Sequence, residues 1–219
     1  MVSANRLRAA VVPLVLMALT ALPGLVLGRI YAGPLVTAAV AGAAVGSVGL
    51  SVAVRRLPSW TVAPLSVLLL AGYTVAVLRL AAERAALTGP LSSVLTDAAT
   101  NGIPRLLTAM IPVEPTPDTV VVPLVAAWLA GLAGAEVAVR AGRVLLGCVP
   151  AAVLYGGALY VVGPNADAAG RPTLLFAGVV AVALAVTRRN TGPPDPGRRS
   201  PWGSRVGARD PGPGIRGVL

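Results

Sequence analysis

The chain offers few groups for chemistry, and the one that stands out is Glu136, an acid inside a long apolar stretch. An ionisable side chain placed in hydrocarbon marks an ion or proton pathway by default. Glu136 precedes Arg140 by four residues, the order and spacing at which the two side chains meet on one helix face. That spacing makes a local ion pair the expected role, with a coupling or gating group of a small transporter or channel subunit as the alternative. Proton-coupled transport draws on several such groups, whereas Glu136 stands alone in its stretch. Gly42-x-x-x-Gly46, with Gly49 beyond it, is a spacing that lets a second helix approach closely. Cys148, the single cysteine, reads as a small buried apolar residue rather than a nucleophile. Lipid surroundings raise a thiol pKa, and there is no imidazole to activate it.

Histidine is absent from all 219 residues. That excludes Cys/His and Ser/His/Asp nucleophilic machinery. With one cysteine, the usual His/Cys zinc sites and an internal disulfide framework are excluded as well. The glycine-rich C-terminal stretch has no lysine and no preceding strand, so it is not a phosphate-cradling loop. The sequence therefore predicts no catalytic residue, no metal site and no cofactor.

The elements that position Glu136 follow from composition. The chain is 56% hydrophobic and 12% charged, with a mean hydropathy of +0.80. A soluble domain carries about 25% charged residues. A helix crossing roughly 30 Å of hydrocarbon needs about 20 mostly apolar residues. Stretches of that kind recur between charges at 9–28, 31–54, 60–78, 120–139 and 144–162, and a shorter one at 173–187 completes six predicted spans. Arg171, just before the last, can snorkel outward. The first stretch is too long for a signal-peptide core and lacks a small-residue cleavage site, so it reads as a signal-anchor. The fold class is all-α, a polytopic membrane protein.

Every basic residue is an arginine, 18 against 8 acids, for a net charge of +10. The placement of these arginines reads as topology. With the N-terminus inside, Arg6, Arg8, Arg55, Arg56, Arg140, Arg143, Arg188, Arg189 and the tail arginines all fall on the cytoplasmic side. Arg29, Arg79, Arg84, Arg105 and Arg171 fall outside. The expected orientation is N-in, C-in. Tyr31 and Tyr160 at outer ends and Trp60 at an inner end fit an interfacial aromatic belt. Pro34, Pro58, Pro123 and Pro172 are expected at helix starts, while Pro13 and Pro150 lie within spans.

Residues 79–119 form the one sizeable loop, on the outer side. The third helix is expected to continue to Leu87 and to break at Gly89-Pro90. A short helix then runs from Leu91 to a stop at Asn101-Gly102, and another starts at Pro104. These amphipathic pieces are expected to lie in the membrane interface. Pro112, Pro115 and Pro117 make a stiff lead into the fourth span. Residues 188–219, rich in Gly, Pro and Arg, cannot bury a core and are expected to be a disordered, solvated basic tail. Few aromatics are available for base stacking, so no nucleic-acid partner is expected.

The phrase from Arg105 through Leu-Leu-Thr-Ala-Met-Ile-Pro-Val-Glu-Pro-Thr-Pro to Asp118 is followed by Val120–Val122, Pro123, Trp128, Leu129 and Ala135-Glu136. It resembles the N-terminal membrane domain of transglutaminase-like (TgpA-type) membrane proteins of high-GC actinobacteria. The likeness is sharpest over 105–143 and compatible with the helix layout of 1–190. It implies an anchor in the plasma membrane, whose partners are the lipid bilayer and an extracytoplasmic transglutaminase-like domain or another membrane protein. The family's Cys/His/Asp triad has no counterpart here, so the resemblance implies the membrane domain without its enzyme. Six spans return the C-terminus to the cytoplasm. A seventh helix beyond Leu219 in a longer relative, or a truncated or split gene product, is the expectation that follows.

Overall fold

The computed structural model describes residues 2–86, 90–108, 112–163 and 170–188. It is 86% helical, with no strand among the described residues. The helices are α1 (Val2–Leu27), α2 (Leu35–Ala53), α3 (Ser59–Arg84), α4 (Leu91–Thr108), α5 (Pro117–Ala135), α6 (Val144–Val162) and α7 (Gly170–Arg188), with a π-helical turn (Glu136–Arg140) between α5 and α6. Five of them, α1, α2, α3, α5 with its π-turn, and α6, are long and apolar enough to cross a membrane. α7, where the sixth span is predicted, is a 19-residue helix that is apolar over Gly170–Ala185. The basic tail beyond Arg188 lies outside the described residues.

α1, α2 and α5 form the centre. Burial falls from 61% of the apolar stretch of α1 to 22% of that of α3, which places α3 on the outside of the bundle. α6 and α7 pack on the α1 side and α3 leans on α5. The interior is built from Leu16, Leu19, Val36, Val40, Val48, Val120 and Leu124, all shut off from the surroundings. With no polar face to present, the outer helices expose apolar residues such as Leu68, Val153 and Leu174, as helices facing hydrocarbon do.

Small residues set the closest approaches. Gly24 lies against Val40 and Thr37, and the Thr37 hydroxyl donates to the Gly24 carbonyl at 3.0 Å. A Cβ on Gly134 would stand 2.5 Å from the Gly147 carbonyl oxygen, so α5 and α6 touch backbone to backbone there. Gly24 and Gly28 have the same i, i+4 spacing as Gly42 and Gly46, and it is the first pair that admits a neighbouring helix.

The region between α3 and α5 departs from the expectation of two short helices. α4 is continuous through Asn101, Gly102 and Pro104. Gly102 does not stop the helix; it is buried, and a Cβ there would stand 2.7 Å from the Asp118 carbonyl oxygen. Glycine serves close packing of α4 on α5. Across the proline, Asp97, Asn101 and Arg105 form an i, i+4, i+8 ladder. Asn101 Nδ2 donates to Asp97 Oδ1 (2.6 Å) and Arg105 Nη1 to Asp97 Oδ2 (2.7 Å), which holds the turns together where one backbone hydrogen bond is missing.

α5 also starts earlier than predicted. Thr116 is its N-cap position and Pro117 its first residue, which puts Pro123 inside the helix rather than at its start. A proline has no N–H for the carbonyl four residues back, here that of Thr119. Tyr31 supplies the missing donor, its hydroxyl reaching the Thr119 oxygen at 2.7 Å. Tyr31 is therefore a buried structural residue and not a member of an interfacial belt. Trp60 and Tyr160, 75% and 82% exposed, do sit at the surface at helix ends.

Candidate functional site

The loops sort into two ends. At one end, a backbone pairing of Ala32 N–H to Val113 O (2.9 Å) and Val113 N–H to Ile30 O (2.7 Å) ties the α1–α2 turn to the lead into α5. Arg105 bridges this end, 2.7 Å from Asp97 and 2.9 Å from Asp118, so that α4 is fastened to the first turn of α5. Thr119 closes that turn by donating to the Glu114 carbonyl at 2.9 Å. Burial pushes the Tyr31 phenol far above its ordinary pKa, and the nearby Asp118 charge acts in the same direction.

At the other end stand the two charged residues singled out from the sequence. Glu136 opens the π-turn and Arg140 closes it, with Ala141 N–H reaching the Glu136 carbonyl at 3.3 Å in the wide i to i−5 pattern. Gly142, at a φ of +68°, then turns the chain toward α6. Both Glu136 oxygens are engaged. Ser51 of α2 donates to Oε1 at 2.7 Å, and Arg140 Nε lies 2.8 Å from Oε2. The Nε–H is not aimed at that oxygen, so this contact is Coulombic rather than a directed hydrogen bond. The rest of the guanidinium reaches the C-terminal end of α2, donating to the carbonyls of Val54 (3.1 Å) and Leu57 (3.4 Å). Those carbonyls follow the last turn of a helix, where a cation is favoured.

Chemically this is a clamp. A carboxylate, a hydroxyl and a guanidinium hold the end of α2 to the end of α5. The expected i, i+4 pair is present; its connection to Ser51 and to the α2 terminus joins parts of the sequence about 85 residues apart, which spacing along one helix could not reveal.

Gly42 and Gly46 have a different use from the one expected. Gly42 faces the Tyr73 hydroxyl, and a Cβ on Gly46 would stand 2.8 Å from Trp128 Cζ3. The two glycines admit aromatic side chains from α3 and α5, not a helix backbone. Tyr73 donates to the Ala39 carbonyl (2.8 Å), Trp128 Nε1 donates to Ser66 Oγ (2.9 Å), and the two rings lie 5.9 Å apart. Each polar atom of these aromatics thus has a partner. Cys148 is buried on α6 with its Sγ 3.3 Å from the Val144 carbonyl, as a small space-filling residue.

No group of His, Cys, Asp and Glu among the described residues has the arrangement of a metal site. The chain was compared with family models, with curated proteins and with solved structures, and none of the three gives a match.

Proposed function

We propose that the chain is a non-catalytic integral scaffold of the plasma membrane, with six crossings and both termini in the cytoplasm. In this reading it corresponds to the anchoring part of transglutaminase-like membrane proteins and presents its α4 end to an extracytoplasmic domain or another membrane protein. The observation that carries it is the full engagement of Glu136 by Ser51 and Arg140. A residue that passes protons or ions must exchange partners during each cycle, whereas this one holds two helices together. The grouping of Arg55, Arg56, Arg140 and Arg143 on the loops at the Glu136 end supports N-in, C-in.

Three measurements test it. In proteoliposomes the wild-type chain and Glu136→Gln should show the same proton and ion leak as empty vesicles; a flux that depends on Glu136 favours the transporter reading instead. In a Cys148→Ala background, an impermeant maleimide applied outside spheroplasts should label Ser92→Cys and spare Arg56→Cys. The reverse pattern refutes the orientation, and transamidase or protease turnover by the purified chain refutes the non-catalytic assignment.

A further inference from the structure

Arg84 lies at the end of α3, where two concavities meet. Below it runs an apolar groove of about 210 Å³ between the start of α2 and one face of α3, lined by Leu35, Ala38, Tyr73, Val77 and Leu80. Tyr73, Val77, Leu80 and Arg84 recur at helical spacing, so the groove is a continuous stripe that ends on the guanidinium. Above it opens a polar cleft of about 340 Å³, bounded by Arg84, Ala85 and Ala86 on one side and by Glu114, Pro115 and Thr116 on the other. Arg84 lines both. Neither its side chain nor that of Glu114 has an ion-pair or hydrogen-bond partner among the described residues, although the two line one cleft.

We propose that groove and cleft together bind one zwitterionic phospholipid with a primary ammonium headgroup, its acyl chain along the α2–α3 groove, its phosphate at Arg84 and its ammonium at Glu114. The proposal rests on the membrane-embedded reading given above. Charge complementarity selects this occupant. A guanidinium alone attracts any anionic headgroup, but the carboxylate in the same cleft repels a second negative charge and favours a cation beside the phosphate. A primary ammonium donates hydrogen bonds to a carboxylate; a trimethylated one cannot. The apolar stripe leads away from the charged mouth along α3, as an acyl chain leads away from its headgroup.

Native mass spectrometry of the detergent-purified full chain tests this, with palmitoyl-oleoyl phosphatidylethanolamine, phosphatidylcholine and phosphatidylglycerol as probes. Wild type should retain one phosphatidylethanolamine more tightly than either of the others. Arg84→Ala should weaken phosphatidylethanolamine and phosphatidylglycerol alike by about fivefold, the size of one exposed ion pair. Glu114→Ala should weaken only phosphatidylethanolamine, abolishing the preference over phosphatidylglycerol. Ala38→Phe, which fills the groove, should weaken all three. Equal retention of the three lipids by wild type, tightest retention of phosphatidylglycerol, or an unchanged preference in Glu114→Ala overturns the proposal. A chain recovered without detergent in the soluble fraction would instead overturn the membrane reading beneath it.

Discussion

Glu136→Ala removes the acceptor of the Ser51 hydrogen bond (2.7 Å) and the counterion of Arg140 (2.8 Å) in one step. Hydrogen bonds to charged groups contribute about 1.5–3 kcal/mol in soluble proteins. Interhelical polar couplings inside membrane proteins are smaller, about 0.6 kcal/mol on average and about 1.7 at most. The Arg140 side chain is 21% exposed and that of Glu136 27%, so their ion pair is partly screened and adds about 1 kcal/mol. Arg140 is not left bare, because the carbonyls of Val54 and Leu57 remain. The expected cost is thus about 2 kcal/mol for Glu136→Ala. Glu136→Gln should cost about 1 kcal/mol, since its amide oxygen still accepts from Ser51 while the charge is gone. A double-mutant cycle of Ser51→Ala with Glu136→Ala should give a coupling near 1 kcal/mol. Reversible unfolding in mixed micelles, titrated with SDS and followed by tryptophan fluorescence, measures all three quantities. The clamp argument is refuted if Glu136→Ala lies within about 0.3 kcal/mol of wild type or if the cycle closes to zero.

Gly46→Ala should destabilise by about 1–3 kcal/mol, because its methyl meets Trp128 at 2.8 Å; Gly49→Ala, with nothing within 4 Å, should be neutral or slightly stabilising in the same SDS titration. Ala86 holds a left-handed φ of 51° at the end of α3, so Ala86→Gly should raise stability by about 1 kcal/mol. Tyr31→Phe leaves the Thr119 carbonyl without a donor beside Pro123 and should cost about 2 kcal/mol at neutral pH. The Tyr31 pKa is raised in the folded state, so its contribution is complete below the unfolded value near 10 and is lost as pH rises above it. The stability gap between wild type and Tyr31→Phe should therefore narrow by about 1.4 kcal/mol per pH unit above 10. A gap independent of pH would contradict that.

The helices were legible because composition is a strong signal: uncharged stretches between arginines coincide with α1, α2, α3, α5 and α6. Events that depend on residues far apart in sequence were not. The length of α4 turned on Gly102, which reads locally as a stop and in the fold lies against the Asp118 carbonyl. Pro123 reads as a helix start until Tyr31 is seen to satisfy the carbonyl that it frees. Spacing alone singles out Gly42–Gly46 no more than Gly24–Gly28, since the distinction lies in whether Thr37 or an aromatic ring faces the gap. For the candidate site, Glu136 and Arg140 were readable as an i, i+4 pair. Their π-turn and the Ser51 partner on α2 were not, because neither leaves a periodic trace.

The hold of Arg140 on Val54 and Leu57 has a bearing on the order of biogenesis. The α1–α2 hairpin emerges from the ribosome first, while the residue that caps α2 is 86 positions further along. Until α5 and its π-turn have been made, the Val54 carbonyl has only the Leu57 N–H (2.8 Å), and the Leu57 carbonyl and the Ser51 hydroxyl lack the partners they have in the finished fold. The early hairpin can therefore lock only once Arg140 has left the ribosome and reached the end of α2. A nascent chain arrested before Arg140 has emerged should be a substrate for membrane quality control, and one arrested well beyond that point should have begun to escape.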